Sequence, residues 1–234
     1  MTQQKSLGRN NLDLLIIAAV VSVILYNVPF GAYILYPFFI LCTWFHEMGH
    51  AVATILMGGW VHQIGLDPSG SGVTYHSHSV GGLLLGERLS GAFIAAAGLV
   101  GPPIIGAMFI IFSRSKLGAK IMLWILVGFI AFSEIFWVRT FFGFGMMAFV
   151  GAFVVFALLR FRAEQLPFLA QFIGVQAALA TFLNWRYLFS SYGGHSDTAH
   201  IAQQLFLPYW FWGAVIALFS AAVLVLSLRI AYQK

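Results

Sequence analysis

YILYPFFILCTWFHEMGHAVATILMGG, residues 33–59, reads as one membrane-crossing helix with three ionisable side chains buried in its length. Apolar and aromatic residues lead up to His46-Glu47-Met48-Gly49-His50, apolar chain resumes after it, and Gly58-Gly59 stop the helix. At 1.5 Å per residue the two histidines lie roughly 10–15 Å inside the C-terminal end of that helix. Two imidazoles and a carboxylate at such a depth cost several kcal/mol unless they are paired or face a cavity. Residues four apart share a helix face, so His46 and His50 can offer two ring nitrogens to one ion. Glu47 stands beside them, able to take a proton from an attacking water without being a ligand. That is the HExxH arrangement, two ligands and a general base.

Outward from this helix the chain stays apolar. Of its 234 residues 61% are hydrophobic and 8% charged, against about 25% charged in an ordinary soluble domain. Spans of roughly 20 apolar residues fit near 12–30, 33–57, 91–113, 121–138, 143–160, 167–189 and 208–230. The division between 121–138 and 143–160 is open, so the expected fold is an all-α polytopic membrane protein with six to seven transmembrane helices. Lys5 and Arg9 precede the first apolar run as in a signal peptide, but Leu12–Phe30 is long for a cleaved segment and reads as a retained span. Loop charges do not settle the orientation, because Lys5/Arg9 and the Arg114–Lys120 loop favour opposite sides. After the second helix, Trp60–Tyr75 holds two short β-prone runs around Asp67-Pro68-Ser69-Gly70-Ser71-Gly72. This predicts a β-hairpin, expected near the membrane boundary where the second span ends. The whole chain, 1–234, reads as a single membrane-embedded domain, with 1–30 an extra N-terminal span and 31–215 a catalytic core.

A zinc site needs a third protein ligand and an open position, and the acidic residues are few. Asp13 is near the N-terminus, Asp67 in the hairpin turn, Glu87 beside Arg88, and Glu164 after Arg162. Glu134 within a span and Asp197 in Gly193-Gly194-His195-Ser196-Asp197-Thr198-Ala199-His200 remain. Asp197 is the choice, because the glycine pair lets the backbone bend inward ahead of it. It could instead cap a helix, and His195 and His200 compete as ligands or as groups that orient one.

HEMGHAVATILMGG at 46–59 within a span, a Gly/Pro-containing third span and a distant Asp together resemble the site-2 protease family of intramembrane zinc metalloproteases. SDTAHIAQQLFLPYWFW at 196–212 is similar to a compact branch, the M50B-like metallopeptidases, in which Ser-Asp-small stands where other members have Leu-Asp-Gly. The resemblance covers roughly residues 33–215. It implies that His46, His50 and Asp197 bind one zinc ion and that Glu47 is the catalytic base. The family's Asn-x-x-Pro segment is not intact, since Asn184 lies well upstream of Asp197 with no proline after it. No regulatory soluble domain is evident.

The expected activity is hydrolysis of peptide bonds in transmembrane protein substrates by a multi-pass membrane enzyme, in the cell membrane if the source is prokaryotic. A substrate helix hides its carbonyls in its own hydrogen bonds, so it must unwind, and the hairpin could hold it as an added strand. The partners are then the lipid bilayer and a membrane-protein substrate, with neither nucleic acid nor nucleotide: the net charge of +5 comes from thinly spread Lys and Arg and forms no basic stripe. Three other readings compete. An ion transporter or channel using intramembrane His and Asp predicts paired half-helices and internal symmetry, and neither is visible. A catalytically inactive relative would bind transmembrane segments without cutting them. A multi-span protease of prenylated C-termini needs a Glu ligand, for which only Glu134 or Glu164 follows the motif. Among the remaining residues, Cys42 shares the His46 face and reads as a small buried hydrophobe. Glu134 is either functional or explained by nearby Arg139. His62, His76 and His78 flank the hairpin as loop histidines. The small face Gly91/Ala95/Gly98/Gly101 suits close helix packing, and Pro102-Pro103 should kink the third span.

Overall fold

The computed structural model describes residues 2–77, 86–190 and 196–232, with residues 2–14 and 32 described as backbone. The elements in order are α1 (Thr2–Asn27), α2 (Gly31–Leu56), β1 (Trp60–Leu66), β2 (Gly72–Ser77), α3 (Gly86–Phe112), α4 (Lys116–Phe136), α5 (Phe141–Arg160), α6 (Leu166–Leu183), α7 (Trp185–Leu188), α8 (Asp197–Leu205) and α9 (Tyr209–Tyr232). Among the described residues six helices, α2, α3, α4, α5, α6 and α9, are long and apolar enough to cross a membrane, while the apolar part of α1, Leu15–Asn27, is shorter. The protein is an integral multi-pass membrane protein, all-α among the described residues except for one hairpin. Large apolar side chains such as Phe141, Phe149, Leu159 and Leu218 stand exposed on its outer faces, a surface that is stable only against lipid.

Two neighbouring spans left open by the sequence are separate. α4 ends at Phe136, residues 137–140 are non-helical, and α5 begins at Phe141. The guanidinium of Arg139 donates to the carbonyls of Glu134, Ile135, Phe136 and Val138, which satisfies the end of α4. It forms no ion pair with the Glu134 carboxylate among the described residues, so its role is a helix cap.

α3 lies at the centre, against α2, α6, α8 and α9. Its small residues let two neighbours approach at backbone distance: Gly49 of α2 presses on Ala97 and Gly98, and Gly106 meets Gly174 of α6. Lipid tails are as apolar as leucine, so such close packing, and not exclusion from water, holds membrane helices together. α3 continues as helix through Pro102 and Pro103, which cannot donate to the carbonyls of Gly98 and Leu99. On the other side of α2, Trp44 Nε1 donates to Ser133 Oγ of α4 at 3.0 Å, so the largest side chain of the core has its polar atom satisfied.

The hairpin follows the second helix, as expected. It folds back and runs along α2 for most of its length. Gly59 and Ser77 sit beside Thr54, Thr74 beside Glu47, Gly70 beside Thr43 and Pro68 beside Tyr36, whose hydroxyl donates to its carbonyl at 2.6 Å. The turn that makes this possible is closed by Asp67: its carboxylate accepts from Ser69 N at 2.6 Å and its carbonyl from Gly70 N at 2.9 Å. Gly70 has φ +88°, and a Cβ there would strike the Phe39 ring. The Ser69 side chain, and then its N–H, hold the Asp67 carboxyl below its usual range.

A strand can sit at this depth because its backbone is satisfied. β1 pairs antiparallel with β2, Ile64 opposite Thr74 and Leu66 opposite Gly72. On its other edge Ile64 N donates to Trp137 O at 2.7 Å and Ile64 O accepts from Arg139 N at 3.1 Å. Leu66 N and O bond Thr140 Oγ1 at 3.0 and 2.8 Å. The 137–140 segment thus closes β1 toward the bundle, the condition for irregular backbone in an apolar slab. Since Ile64 and Leu66 direct their backbone groups away from β2, their partners Thr74 and Gly72 must direct theirs away from β1. No further strand pairs with that edge among the described residues.

Candidate metal centre

His46 and His50 stack one turn apart on α2, their Nε2 atoms 3.1 Å from each other. Ring orientation is set from α3. The Ile94 carbonyl, 2.8 Å away, accepts from His50 Nδ1, which in the neutral ring leaves Nε2 as a lone pair. The ring lies flat over Gly98, where a Cβ would collide with it.

Asp197 reaches this pair from the far end of the chain. Ser196, not Asp197, is the N-cap of α8: its Oγ accepts from Ala199 N at 3.3 Å and donates to Ser190 O at 2.6 Å. The Asp197 carboxylate is therefore free to point along α2. Its Oδ2 is 3.0 Å from His46 Nε2 and its Oδ1 is 3.4 Å from His50 Nε2. His50 and Asp197 are buried and His46 half-buried.

These distances suit a shared cation. Bonds of about 2.0–2.2 Å at a tetrahedral ion place ligand atoms roughly 3.3 Å apart, and the three separations here are 3.0, 3.1 and 3.4 Å. Two imidazole nitrogens and a carboxylate oxygen converge on one point, an arrangement that one shared cation would hold together. This donor set, two nitrogens and one oxygen, could hold a divalent cation such as zinc.

Glu47 is almost wholly buried. Thr74 Oγ1 of β2 donates to its Oε2 at 2.6 Å, and its Oε1 lies where a Cβ on Gly72 would be, 2.5 Å away. The hairpin thus forms the wall behind the Glu47 carboxylate. Glu47 and, of the metal group, His46 line a cavity of about 270 Å³ between the hairpin turn, α3 and the end of α6. Its wall includes Thr43, Gly72, Pro102, Asn184 and Tyr187. The Tyr187 hydroxyl donates to Asp197 Oδ2 at 3.1 Å.

His46, Glu47, His50 and Asp197 are thus brought together. The other candidates are not. His200 is exposed on α8, Glu87 is exposed at the start of α3, and Glu134 lies on α4. Lys116 donates to Glu164 at the surface at 2.6 Å. Its ammonium hydrogen bond holds the Glu164 carboxyl below its ordinary value. His195 and His78 lie outside the described residues. Cys42 is buried on the cavity wall and takes no part in the metal group. Sequence reading missed Thr74, Tyr187 and the Ile94 carbonyl. The only available signal was period two in β2, which places Gly72 and Thr74 on one face.

A family model described as Peptidase M50B-like matches residues 14–227. No curated protein and no solved structure gives a significant match. The matched segment contains the two histidines, Glu47, the hairpin and Asp197. The chain belongs to the Peptidase M50B-like family.

Proposed function

We propose that this protein is an intramembrane zinc metalloendopeptidase, cutting peptide bonds in membrane-protein substrates, with His46, His50 and Asp197 as metal ligands and Glu47 as base. The observation that carries the reading is the meeting of Asp197 with His46 and His50 beside a buried carboxylate, inside a bundle of membrane-crossing helices. Charge supports it as well. A dication bound there would neutralise Asp197 and Glu47, whose burial as two unbalanced carboxylates would be costly.

Zinc, when bound, would supply a Lewis acid that polarises the scissile carbonyl and makes water a better nucleophile at neutral pH. Glu47 accepts the proton of the attacking water and passes it to the amine that leaves. Thr74 holds Oε2 of Glu47 and so fixes the carboxylate at the cavity wall. The substrate enters extended, its backbone bonding the outward N–H and C=O groups of Gly72 and Thr74 on β2, which fixes its carbonyls relative to Glu47.

The test is cleavage of a transmembrane reporter in proteoliposomes by wild type and by Glu47→Gln, with zinc measured on both. The expected result is about one zinc per chain in each and cleavage in the wild type alone. Undiminished cleavage by Glu47→Gln would sink the mechanism. A zinc-loaded wild type that cuts none of a panel of transmembrane segments, yet binds them, would favour the inactive relative.

A further inference from the structure

α6 stops at Leu183, and Asn184 turns the chain into the single turn of α7. Leu188 N and Tyr187 N still bond to the Asn184 carbonyl, at 3.2 and 2.9 Å. This break places the phenol of Tyr187 on the wall of the same cavity that Glu47 borders. Its ring meets that of His46 edge-on, centroids 6.1 Å apart.

The position of the hydroxyl is informative. It lies 3.1 Å from Asp197 Oδ2, the same oxygen that lies 3.0 Å from His46 Nε2. Ligand atoms around one tetrahedral ion are about 3.3 Å apart, so Tyr187 Oη stands at ligand-atom spacing from Oδ2. The hydroxyl thus stands at the edge of the atoms that would hold the ion, on the wall of the cavity that Glu47 also lines. Among the other hydroxyls of the cavity wall, Thr43 bonds Gly70 O and Ser69 and Ser71 bond each other, and none of the three is bonded to the metal group. Thr74, behind the base, is turned to Glu47.

We infer that Tyr187 is a catalytic residue, the donor that stabilises the oxygen of the scissile carbonyl; this rests on the protease reading above. As the water oxygen bonds to the carbonyl carbon, the π pair moves onto the carbonyl oxygen and Glu47 takes the water's proton. Tyr187 O–H turns from Asp197 to that oxygen and donates a hydrogen bond while keeping its proton. The C–N bond then breaks, its electron pair goes to nitrogen, and nitrogen takes the proton held by Glu47. The proton that Glu47 takes is passed to the leaving nitrogen, so a further donor at the carbonyl oxygen adds stabilisation that Glu47 does not supply. A preorganised donor of this kind contributes roughly 10²–10³-fold in kcat.

The experiment compares wild type with Tyr187→Phe as full chains in proteoliposomes. Zinc content, the visible spectrum of the cobalt-substituted protein, kcat, KM and the affinity of a phosphinic peptide are measured. The phosphinic peptide mimics the tetrahedral oxyanion. The expected result is unchanged metal content and cobalt spectrum, kcat lower by roughly 10²-fold with KM within about threefold, and phosphinate affinity lower by a similar factor. Wild-type levels of both kcat and phosphinate affinity in Tyr187→Phe would overturn the inference, as would a loss appearing only in Asn184→Ala. Loss of zinc, with activity restored by excess metal, would overturn it too, making Tyr187 a support for Asp197. If Tyr187→Phe does not fold, Tyr187→Gln, which keeps a donor, takes its place. Phosphinate affinity closer to wild type in Tyr187→Gln than in Tyr187→Leu then supports the inference, and equal losses overturn it. Failure of the wild type itself to cleave is a different result: it strikes the protease reading, while the phosphinate comparison still decides on Tyr187.

Discussion

The hydroxyl of Thr74 donates to Oε2 of Glu47 at 2.6 Å, so the base of the HExxH helix is held by a strand 27 residues further along the chain. On the protease reading proposed above, the hairpin would hold the base in place as well as receive the substrate. Thr74→Val keeps the shape and deletes the donor. Leaving a buried carboxylate oxygen without its partner costs about 1–3 kcal/mol. We expect kcat to fall roughly tenfold or more at constant zinc content, and Thr74→Ser to recover most of it. Full activity in Thr74→Val would show that Glu47 needs no such support.

Two glycines should give two different defects when changed to alanine. A Cβ at Gly72 falls 2.5 Å from Glu47 Oε1, and one at Gly98 strikes the His50 ring. Gly72→Ala should bind zinc and lose cleavage by about 10²-fold, the size of a misplaced catalytic group. Gly98→Ala should lose zinc first. Metal analysis beside rate measurements separates them, and the reverse pattern would contradict the placement of both side chains.

Metal removal should destabilise the fold. A ligand bound to the native state alone at 100 times its Kd stabilises it by about 2.7 kcal/mol. Chelation should thus lower Tm in detergent and zinc should restore it. Asp197→Ala should show a low Tm that zinc barely raises, whereas a wild-type response in that variant would remove Asp197 from the ligand set.

Strand addition at β2 has a backbone signature. Gly72 and Thr74 present their N–H and C=O groups on the open edge, two residues apart, with Val73 turned to Gly65. N-methylation scanned along a peptide substrate should block cleavage at alternate positions on one side of the scissile bond. Uniform tolerance, or a block without that period, would exclude a paired strand.

Hydropathy alone determined that the chain spans a membrane several times, because each span must satisfy its own backbone within one run of residues. The 3.6-residue period of the helix likewise determined that His46 and His50 share a face beside Glu47. The Asp67–Gly72 turn announced the hairpin, since its residues bond to one another. These are local relationships. Tertiary structure alone decided that the hairpin lies along α2, because the decision rests on bonds from Trp137, Arg139 and Thr140 to β1. It also decided which group faces the two histidines. Ser196 took the cap of α8, packing against α3 brought Asp197 inward and left His200 exposed, and a helix break at Asn184 swung Tyr187 into the cavity. Each outcome depends on distant segments competing for the same buried donors and space, a competition that no single stretch of sequence contains.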